Sequence, residues 1–404
     1  MYQHKHKHKK DIENVLILQG GGSLGAFASG VFNAFARKNI KFDIICGTSI
    51  GAINGAIVAG SKNDNPVKDL EDFWMELAES SINVIPDMYS FDYDEQTHKT
   101  NIKKSSSASL NAAIFGVPKF FVPRWFNWNL FQYKNSHDSN ILPSQWTYIY
   151  DNTPLEKTLE KYIDFTKLSP NIKRESIDNN TNNKNVYNNS NPRLIITAVN
   201  VLSGQPIIFD SYTMQIQMKH LLATIGYPQY GFPWVDIDKG IYAWDGSLLS
   251  NTPVREVMAA SPSNDKNIFI VENYPKKINK LPTNMAEVQS RAKDIMFTDK
   301  DESLRKISKL ITRHINLIET LYDILKENDI PDIDKATLEY IEKEHTLLVE
   351  KFGAKILRIY RISRENSETP HSTQNAEFSL TTIKNLIVQG ENKALECLKQ
   401  DQLN

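Results

Sequence analysis

The chain between residues 15 and 60 reads VLILQGGGSLGAFASGVFNAFARKNIKFDIICGTSIGAINGAIVAG. A short apolar run, a glycine turn and a stretch with the apolar spacing of a helix follow one another, and the same order then repeats. Two strand–turn–helix units in so short a stretch are typical of α/β proteins, whose strands pair in parallel. We therefore expect strands at 15–19 and 42–46, a helix after each, and a mostly parallel sheet.

The second glycine turn, Gly47-Thr48-Ser49-Ile50-Gly51, has the G-x-S-x-G pattern of a nucleophile elbow. In such an elbow the serine oxygen projects from a very tight turn, so the positions two before and two after it must lack a Cβ. The predicted helix begins at the serine, and its dipole favours negative charge developing there. Ser49 is therefore the candidate nucleophile, and Gly47 and Gly51 are the residues that permit the turn.

The first glycine turn, residues 20–25, has two interpretations. Three glycines at a strand end let backbone N–H groups converge on one point, which suits a developing oxyanion. The same turn also satisfies the dinucleotide fingerprint G-x-G-x-x-G, but that requires an acid at the end of the second strand. Asp43 starts that strand instead, so the nucleotide interpretation is disfavoured. The candidate oxyanion and substrate-binding residues are Gly20, Gly21, Gly22, Ser23 and Gly25.

Asp245 follows a predicted strand, 241–244, and precedes Gly246. An Asp–Gly pair most often makes a turn, but here it could also supply the general base for Ser49. A free aspartate, with a pKa near ~3.9, is a poor base at neutral pH. Burial beside Trp244 would raise that pKa, because desolvation disfavours the charged form. A direct Ser–Asp hydrogen bond would then remove the need for a histidine.

The alternative is a Ser–His–Asp triad. In α/β-hydrolases the histidine follows the acid in the chain. The histidines that could serve are His220, before Asp245, and His314, His345 and His371 after it. His314 and His345 lie on the seams of predicted helices and His371 lies in a polar loop, so the triad is disfavoured.

The chain beyond residue 60 contains further strands and helices, among them predicted helices at 66–80 and 154–162 that each begin at a proline. The stretch between these two helices, to about Tyr150, is unusually aromatic and is expected to be irregular. Residues 1–13 form a basic tail that we expect to be flexible. The Asn-rich segment 176–192 is expected to be an exposed, mobile loop, because its composition can bury little apolar surface. In residues 301–404, apolar side chains at spacings of three and four predict two facing amphipathic helices. A strand at 356–362 and a helix near 381–399 complete this accessory region.

The two glycine turns and the Asp–Gly pair together resemble the patatin-like phospholipase family. That family has a glycine-rich oxyanion loop, a G-x-S-x-G elbow and an Asp–Gly partner. The resemblance extends over about residues 15–299, and segments such as Asn251-Thr252-Pro253 are similar to a bacterial or archaeal subgroup with a C-terminal extension of unknown role. It implies a three-layer α/β/α catalytic domain at 14–300 with a mostly parallel central sheet, followed by a mainly helical extension.

The resemblance also implies a mechanism. Asp245 takes the proton of Ser49, Ser49 attacks an ester carbonyl, and N–H groups around Gly21, Gly22 and Ser23 hold the oxyanion. Water activated by Asp245 then releases the acid from an acyl-enzyme. The sequence contains no cluster of metal-ligand residues, so we expect neither a metal nor a cofactor.

The favoured substrate is a lipid ester, as for a phospholipase A or a lysophospholipase. Poly(3-hydroxybutyrate) is the alternative substrate, and an inactive lipid-binding or docking protein is the alternative class. The aromatic segment 115–126 is either an interfacial lid or a loop packed on the core. Its candidates for contact with an acyl chain are Phe120, Phe121 and Trp125.

Composition bounds the remaining possibilities. The 404 residues carry a net charge of -1 with both signs balanced, which argues against a nucleic-acid surface. The two cysteines, Cys46 and Cys397, are far apart, so we expect no disulfide framework and a reducing compartment. No stretch has signal-peptide form, and none approaches the roughly 18 apolar residues that cross a bilayer. We expect a cytoplasmic protein with at most peripheral contact to a membrane or granule surface, of open oligomeric state.

Overall fold

The computed structural model describes residues 10–82, 88–94, 99–105, 107–126, 146–170, 191–298, 302–327, 334–365 and 374–401. The described residues do not include residues 1–9 of the predicted basic tail or residues 176–190 of the predicted Asn-rich loop. The break expected between the two C-terminal helices also lies outside them, and so does His371.

The described part of the chain alternates between strands and helices. The strands are β1 Ile12–Leu18, β2 Ile44–Thr48, β3 Met88–Asp94, β4 Lys99–Ser105, β5 Val122–Pro123, β6 Tyr150–Asp151, β7 Arg193–Asn200, β8 Pro206–Asp210, β9 Val235–Asp238, β10 Ile241–Asp245, β11 Asp265–Glu272 and β12 Ile356–Ser363. The helices are α1 Ala26–Arg37, α2 Ile50–Ala59, α3 Pro66–Ser80, α4 Ala108–Phe115, α5 Pro154–Tyr162, α6 Met218–Thr224, α7 Val254–Ala260, α8 Met285–Phe297, α9 Glu302–Glu327, α10 Lys335–His345 and α11 Leu380–Asp401.

A central sheet organises the molecule. Its strands lie in the order β12-β11-β1-β2-β7-β10-β9, and β8 also pairs with β7. The pairs from β12 to β7 are parallel, whereas β8 and β10 pair with β7, and β9 with β10, in the antiparallel sense. The expected α/β fold with a mostly parallel central sheet is thus confirmed.

Helices cover both faces of the sheet, which gives three layers. Along β1, Leu16 and Leu18 pack into a core with helices α1, α2, α3 and α11. Val15 and Ile17 point to the other face, where they pack with residues of α7. Because both faces are covered, the inner parts of the central strands are runs of buried, mostly apolar residues, as Val15-Leu16-Ile17-Leu18 indicated.

The C-terminal region is built into these layers. Strand β12 pairs with β11 at the edge of the sheet. Helix α11 packs on α1 backbone to backbone: a Cβ on Gly30 would lie 1.8 Å from the carbonyl oxygen of Ile387, and one on Gly390 2.0 Å from that of Phe27. The division of the chain at residue 300 stays a prediction, but residues 356–363 and 380–401 share the sheet and the helical layer of the preceding segment.

Helices α9 and α10 pack side by side, as their apolar spacing predicted. The ring of His345 stacks on Tyr322 at 3.8 Å between centroids, and Lys326 forms an ion pair with Glu342 at 3.6 Å. Cys46 is buried and Cys397 is half-buried, and the two form no disulfide with each other.

The stretch before Tyr150 was expected to be irregular, and this expectation was wrong for the part that the structure describes. Strands β3 and β4 form an antiparallel hairpin, with Met88 opposite Ser105 and Asp94 opposite Lys99. Helix α4 follows, and β5 pairs with β6. Only the pairing of β5 with β6 joins residues distant in sequence; the hairpin is local, and its first strand carries an alternation of aromatic and polar residues.

Candidate active site

Ser49 lies in a strained turn between a strand and a helix. Strand β2 ends at Thr48, helix α2 begins at Ile50, and Ser49 between them has φ 56° and ψ -132°. A residue with a side chain rarely adopts a positive φ, and such strain persists where the surrounding structure enforces it. The turn therefore projects the half-buried Ser49 hydroxyl beyond the end of the sheet.

The two glycines of this turn are required sterically. A Cβ on Gly47 would lie 2.5 Å from the amide nitrogen of Ala52. A Cβ on Gly51 would lie 2.1 Å from the carbonyl oxygen of Leu18 in the neighbouring strand β1. The helix can approach the sheet this closely only because both positions lack a side chain.

A threonine that the sequence did not single out satisfies the backbone of the turn. The amide of Ser49 donates to Thr224 Oγ1 at 2.9 Å, and that hydroxyl donates in turn to the carbonyl oxygen of Thr197 at 2.7 Å. Thr224 lies on α6 and Thr197 on β7, so the turn is anchored to the sheet through a side chain.

Asp245 is the last residue of β10 and is brought to Ser49 by sheet register. Thr48 pairs with Thr197 of β7, and Asp245 pairs with Ala198 of the same strand. Strands β2 and β10 therefore flank β7 with Ser49 and Asp245 at one end. The Asp245 carboxylate accepts hydrogen bonds from the Ser49 side chain and from the amide of Ser247, the latter at 2.8 Å.

The environment of Asp245 makes it more basic than a free aspartate. The side chain is 1% exposed, and burial raises its pKa to about 6, although hydrogen bonds from Ser49 and Ser247 oppose the shift. Trp244, which we expected to desolvate it, does not line the cavity and packs against Trp234 at 6.3 Å between ring centroids. Successive side chains of a strand point to opposite faces, which is why neighbours in the sequence separate here.

The first glycine loop lies against Ser49, the candidate nucleophile. Gly20, Gly21 and Gly22 line the same cavity as Ser49 and Asp245. A Cβ on Gly20 would lie 2.8 Å from that of Ser49, and Gly21 and Gly22 have φ values of 151° and 59°. Such values favour glycine, so the sequence permits a conformation that other residues would resist.

The amide hydrogens of this loop differ in their partners. Gly20 N–H donates to Asn251 Oδ1 at 2.9 Å. Within the described part of the chain, no acceptor takes the amide hydrogens of Gly21 or Gly22. Two adjacent N–H groups beside a serine hydroxyl can stabilise the charge of a tetrahedral oxyanion.

The other two residues predicted for this loop lie behind the cavity rather than along it. Ser23 is fully buried, and its hydroxyl donates to the carbonyl oxygen of Gln374 at 3.0 Å. Gly25 packs closely, since a Cβ there would lie 2.8 Å from the side chain of Ile50 and 3.1 Å from that of Trp74. Ser23 and Gly25 therefore support the loop from outside the cavity.

Amide side chains hold the loop in place. Asn273 Nδ2 donates to the carbonyl oxygens of Gln19 and Gly20, at 3.0 and 3.1 Å. Gln19 Nε2 donates to Thr252 Oγ1 at 2.7 Å, and Asn251 Nδ2 donates to the carbonyl oxygen of Phe297 at 3.3 Å. Asn251 belongs to a segment that the resemblance singled out, but neither its role nor that of Asn273 could be assigned from the sequence.

The cavity around Ser49 has a volume of 360 Å³ and two kinds of wall. One wall is apolar, and we call it the acyl sector; its aromatic members are Phe120, Phe121, Tyr150, Phe232 and Phe378. Ring contacts at 5.1–5.7 Å between centroids join them into one group. Close-packed rings around a cavity suit an aliphatic chain.

The aromatic segment 115–126 contributes to this wall in part. Phe120 and Phe121 are buried and line the cavity, so a packed loop describes this part of the segment better than a free lid. Trp125 does not line the cavity: it is 45% exposed and its ring lies 6.2 Å from that of Tyr150.

The other wall carries hydroxyl, amide and ammonium groups. We call it the polar sector; its members are Tyr227, Gln229, Tyr230, Tyr274 and Lys293. Lys293 Nζ lies 5.2 Å from the centroid of the Tyr230 ring, and burial lowers the pKa of this lysine. Burial raises the pKa of Tyr227 to about 12, so its hydroxyl remains protonated at neutral pH.

The histidines of the described residues do not line this cavity. His220 is buried, its Nδ1 accepts from the amide of Gln217 at 3.0 Å, and its ring stacks on Phe209 at 4.3 Å. Burial lowers its pKa to about 4, so it is neutral at physiological pH. His220 therefore caps helix α6 and packs in the core.

The part of the chain that the structure describes lacks two features. It contains no group of three or more His, Cys, Asp or Glu residues that could hold a metal ion. None of its helices combines the length and the apolar character needed to cross a bilayer.

Comparison with known proteins identifies a family whose model matches this chain. A family model described as patatin-like phospholipase matches residues 16–258, which include both glycine turns and Asp245. The chain is 37% identical over 73 residues to patatin-like phospholipase domain-containing protein 7 of Rattus norvegicus. It is 31% identical over 74 residues to a putative patatin-like phospholipase domain-containing protein, M110.7, of Caenorhabditis elegans.

These similarities are limited in extent. Each aligned stretch spans 18% of this chain, but only 5% of the rat protein and 7% of the nematode protein. Among solved structures, that of VipD from Legionella pneumophila aligns over 98% of this chain and 72% of its own, with a TM-score of 0.36 and 14% sequence identity.

Proposed function

The chain belongs to the patatin-like phospholipase family, and on that premise we propose that it is a lipid acyl hydrolase with a Ser49–Asp245 dyad. One observation supports the dyad most directly: the Ser49 side chain donates a hydrogen bond to the buried carboxylate of Asp245. A serine is a weak nucleophile unless an adjacent base takes its proton. Asp245 is the group in position to do so.

In the proposed reaction, Asp245 accepts the proton of Ser49 while the serine oxygen attacks the ester carbonyl. The carbonyl oxygen becomes an oxyanion beside the amides of Gly21 and Gly22. Collapse of this intermediate expels the alcohol, which takes the proton from Asp245, and leaves an acyl-enzyme. Water then attacks the acyl group with Asp245 as base, releases the fatty acid and restores the serine.

The raised pKa of Asp245 suits this role. Proton transfer is most efficient when the pKa of the base lies near the operating pH. A carboxyl group with a pKa of about 6 is mostly ionised at pH 7, yet it accepts a proton more readily than a free aspartate. Burial in the cavity wall thus gives Asp245 the basicity that a histidine provides in a triad.

The two walls of the cavity favour an amphiphilic substrate. The acyl sector offers packed rings to an aliphatic chain, whereas the polar sector places the ammonium group of Lys293 in the same cavity. An ester of a fatty acid with a phosphate-bearing alcohol, as in a lysophospholipid, would use both walls. Poly(3-hydroxybutyrate) is a neutral polyester and has no group that would pair with Lys293, so we rank it second.

A fluorophosphonate probe separates this proposal from an inactive lipid-binding protein. The serine oxygen displaces fluoride from the probe, so an activated Ser49 becomes covalently labelled. We expect labelling of the wild type and of Ser203→Ala, which removes an exposed serine hydroxyl, but not of Ser49→Ala. An unlabelled wild type would end the enzyme proposal, and a labelled Ser49→Ala would assign the nucleophile elsewhere.

A further inference from the structure

Part of the cavity wall comes from a segment far along the chain. Asn375, Ala376 and Phe378 line the cavity of Ser49, although they lie beyond residues 16–258 that match the family model. They belong to residues 374–378, immediately before helix α11, and we call these residues the C-terminal strap. The strap is buried at Gln374, Glu377 and Phe378.

The strap contacts the glycine loop through its backbone. A Cβ on Gly22 would lie 2.2 Å from the carbonyl oxygen of Asn375, so the two backbones touch. The hydroxyl of Ser23 donates to the carbonyl oxygen of Gln374 at 3.0 Å. Two consecutive residues of the loop are thus held by two consecutive residues of the strap.

The strap is itself anchored on its other side. Gln374 Nε2 donates to Ser290 Oγ of helix α8 at 2.8 Å, and both groups are buried. The side chain of Asn375 is hydrogen-bonded to Tyr230 in the polar sector. A polar network whose members are all paired in a dry environment is rigid, so α8 fixes the strap and the strap fixes the loop.

Phe378 ends the strap in the acyl sector. The side chain is 1% exposed, and its ring lies 5.6 Å from that of Phe120. Both rings line the cavity, one from the aromatic segment and one from the strap. The acyl sector is therefore closed by residues from two separate parts of the chain.

We propose that the C-terminal strap belongs to the active site. Gln374 positions the oxyanion loop, and Phe378 limits the length of the acyl chain that fits. The proposal rests on the hydrolase function proposed above. Amides that stabilise an oxyanion act only when they are held in the right place beforehand. Because the strap supports Gly22 and Ser23 from outside, it supplies that rigidity.

The Phe378 part is tested by chain-length preference. Wild type, Phe378→Ala and Phe378→Leu are assayed on p-nitrophenyl esters from butyrate to laurate. The smaller side chain enlarges the acyl sector, so we expect Phe378→Ala to raise the laurate-to-butyrate ratio of kcat/KM by about tenfold. Phe378→Leu keeps most of the side-chain volume and should give an intermediate ratio, and it also serves if the alanine variant does not fold.

The Gln374 part is tested by separating kcat from KM. Gln374→Ala removes the bond to Ser290, so the loop loses its support and we expect kcat to fall with little change in KM. Gln374→Glu keeps an acceptor for the Ser290 hydroxyl and should retain more of the wild-type kcat. Asn392→Ala, which removes an exposed amide on helix α11, is the matched control with wild-type kinetics.

The outcomes distinguish failure of the strap from failure of the hydrolase proposal. If the wild type hydrolyses none of the esters, the proposed function fails. If it is active but the chain-length profile of Phe378→Ala matches that of the wild type, the role of Phe378 is overturned. If Gln374→Ala lowers the melting temperature while kcat is unchanged, Gln374 is merely structural.

Discussion

The Ser49 hydroxyl donates a hydrogen bond to the carboxylate of Asp245, and each of these side chains stands at the end of a strand that pairs with β7. The hydrogen bond joins residues from two distant parts of the chain. It depends on the register of three strands, because Thr48 faces Thr197 and Asp245 faces Ala198. A dyad of this kind needs no third residue to orient its base, since the sheet orients it.

Replacing the base should abolish catalysis. Asp245→Asn keeps the shape of the side chain but cannot take the Ser49 proton. General-base catalysis contributes about 10²-fold to 10⁴-fold, so we expect kcat to fall by at least that range. The measurement is hydrolysis of a p-nitrophenyl ester by purified wild type and variant.

The loss should not come from unfolding. The folded-state pKa of Asp245, about 6, lies above its usual value, so the folded protein binds a proton that the unfolded chain releases. Stability therefore decreases as the pH rises from about 4 to about 6, and above that range the ionised carboxylate destabilises the fold. The neutral Asn avoids this cost, so its melting temperature at pH 7 should equal or exceed that of the wild type. A folded, fully active variant would refute the dyad.

Activity should depend on pH through this same group. Only ionised Asp245 can accept the serine proton, so kcat/KM should fall as the pH drops, with its midpoint at about 6. His220 as the base would give a different value, because burial lowers its pKa to about 4. The check is a pH profile of kcat/KM with a neutral ester. An acid limb centred near 4 would contradict a base whose pKa is raised by burial, because an ordinary aspartate has its pKa there.

Asn251 should be needed for catalysis without touching the reacting atoms. Its side chain accepts from Gly20 N–H at 2.9 Å and lies under the oxyanion loop. Asn251→Ala leaves a buried amide without an acceptor, which costs about 1–3 kcal/mol and releases the loop. We expect kcat to fall by up to about 10²-fold to 10³-fold, the effect of losing one oxyanion donor.

Asn251→Asp is the matched control for that prediction. It keeps the oxygen that accepts from Gly20, and it changes only the amide that donates to the carbonyl oxygen of Phe297. We expect it to retain more activity than the alanine variant in the same assay. Equal kcat values for wild type and Asn251→Ala would show that the oxyanion loop keeps its conformation without the hydrogen bond to Asn251.

The sequence predicts the catalytic half of the molecule well because its signals there are local. Gly47 is required by contacts within the turn and Gly51 by the carbonyl oxygen of Leu18 in β1, but their G-x-S-x-G spacing is local, so the elbow can be recognised from five residues. Helices α3 and α5 begin at the prolines that suggested them, since proline at the first turn fits a helix start. The register that joins Asp245 to Ser49 could be inferred only from the resemblance.

Two kinds of feature were not predicted from the sequence. The β3–β4 hairpin is local, and the alternation of Tyr89, Phe91 and Tyr93 with polar residues is a strand signal within the aromatic stretch. The lining of the cavity by the C-terminal strap depends instead on contacts between distant parts of the chain. The contacts of Gln374 and Asn375 with the glycine loop are made largely by backbone carbonyl oxygens, which any residue carries. No side-chain pattern could therefore indicate that residues after 370 line the cavity.

Lys293 should decide between anionic and neutral substrates. Its ammonium group lies in the wall of the cavity, and a phosphate in the alcohol part of the ester would pair with it. A hydrogen bond to a charged group contributes about 1.5–3 kcal/mol, which corresponds to a factor of about 10 to 100 in kcat/KM. We compare kcat/KM for a lysophospholipid with kcat/KM for a monoacylglycerol that has the same acyl chain. We expect Lys293→Met to lower the ratio of the first value to the second by that factor.

Two further variants isolate the charge of Lys293 from its packing. Lys293→Arg keeps a cation over the Tyr230 ring and should restore much of the ratio. Lys277→Met removes an exposed lysine and should leave the ratio at its wild-type value, because that residue does not line the cavity. If Lys293→Met leaves the ratio within about twofold of the wild type, a change of under ~0.5 kcal/mol, Lys293 does not recognise phosphate. The neutral esters, among them poly(3-hydroxybutyrate), would then become the favoured substrates. Among the described residues that line the cavity, Lys293 alone carries a positive charge, so no other cation there could bind a phosphate.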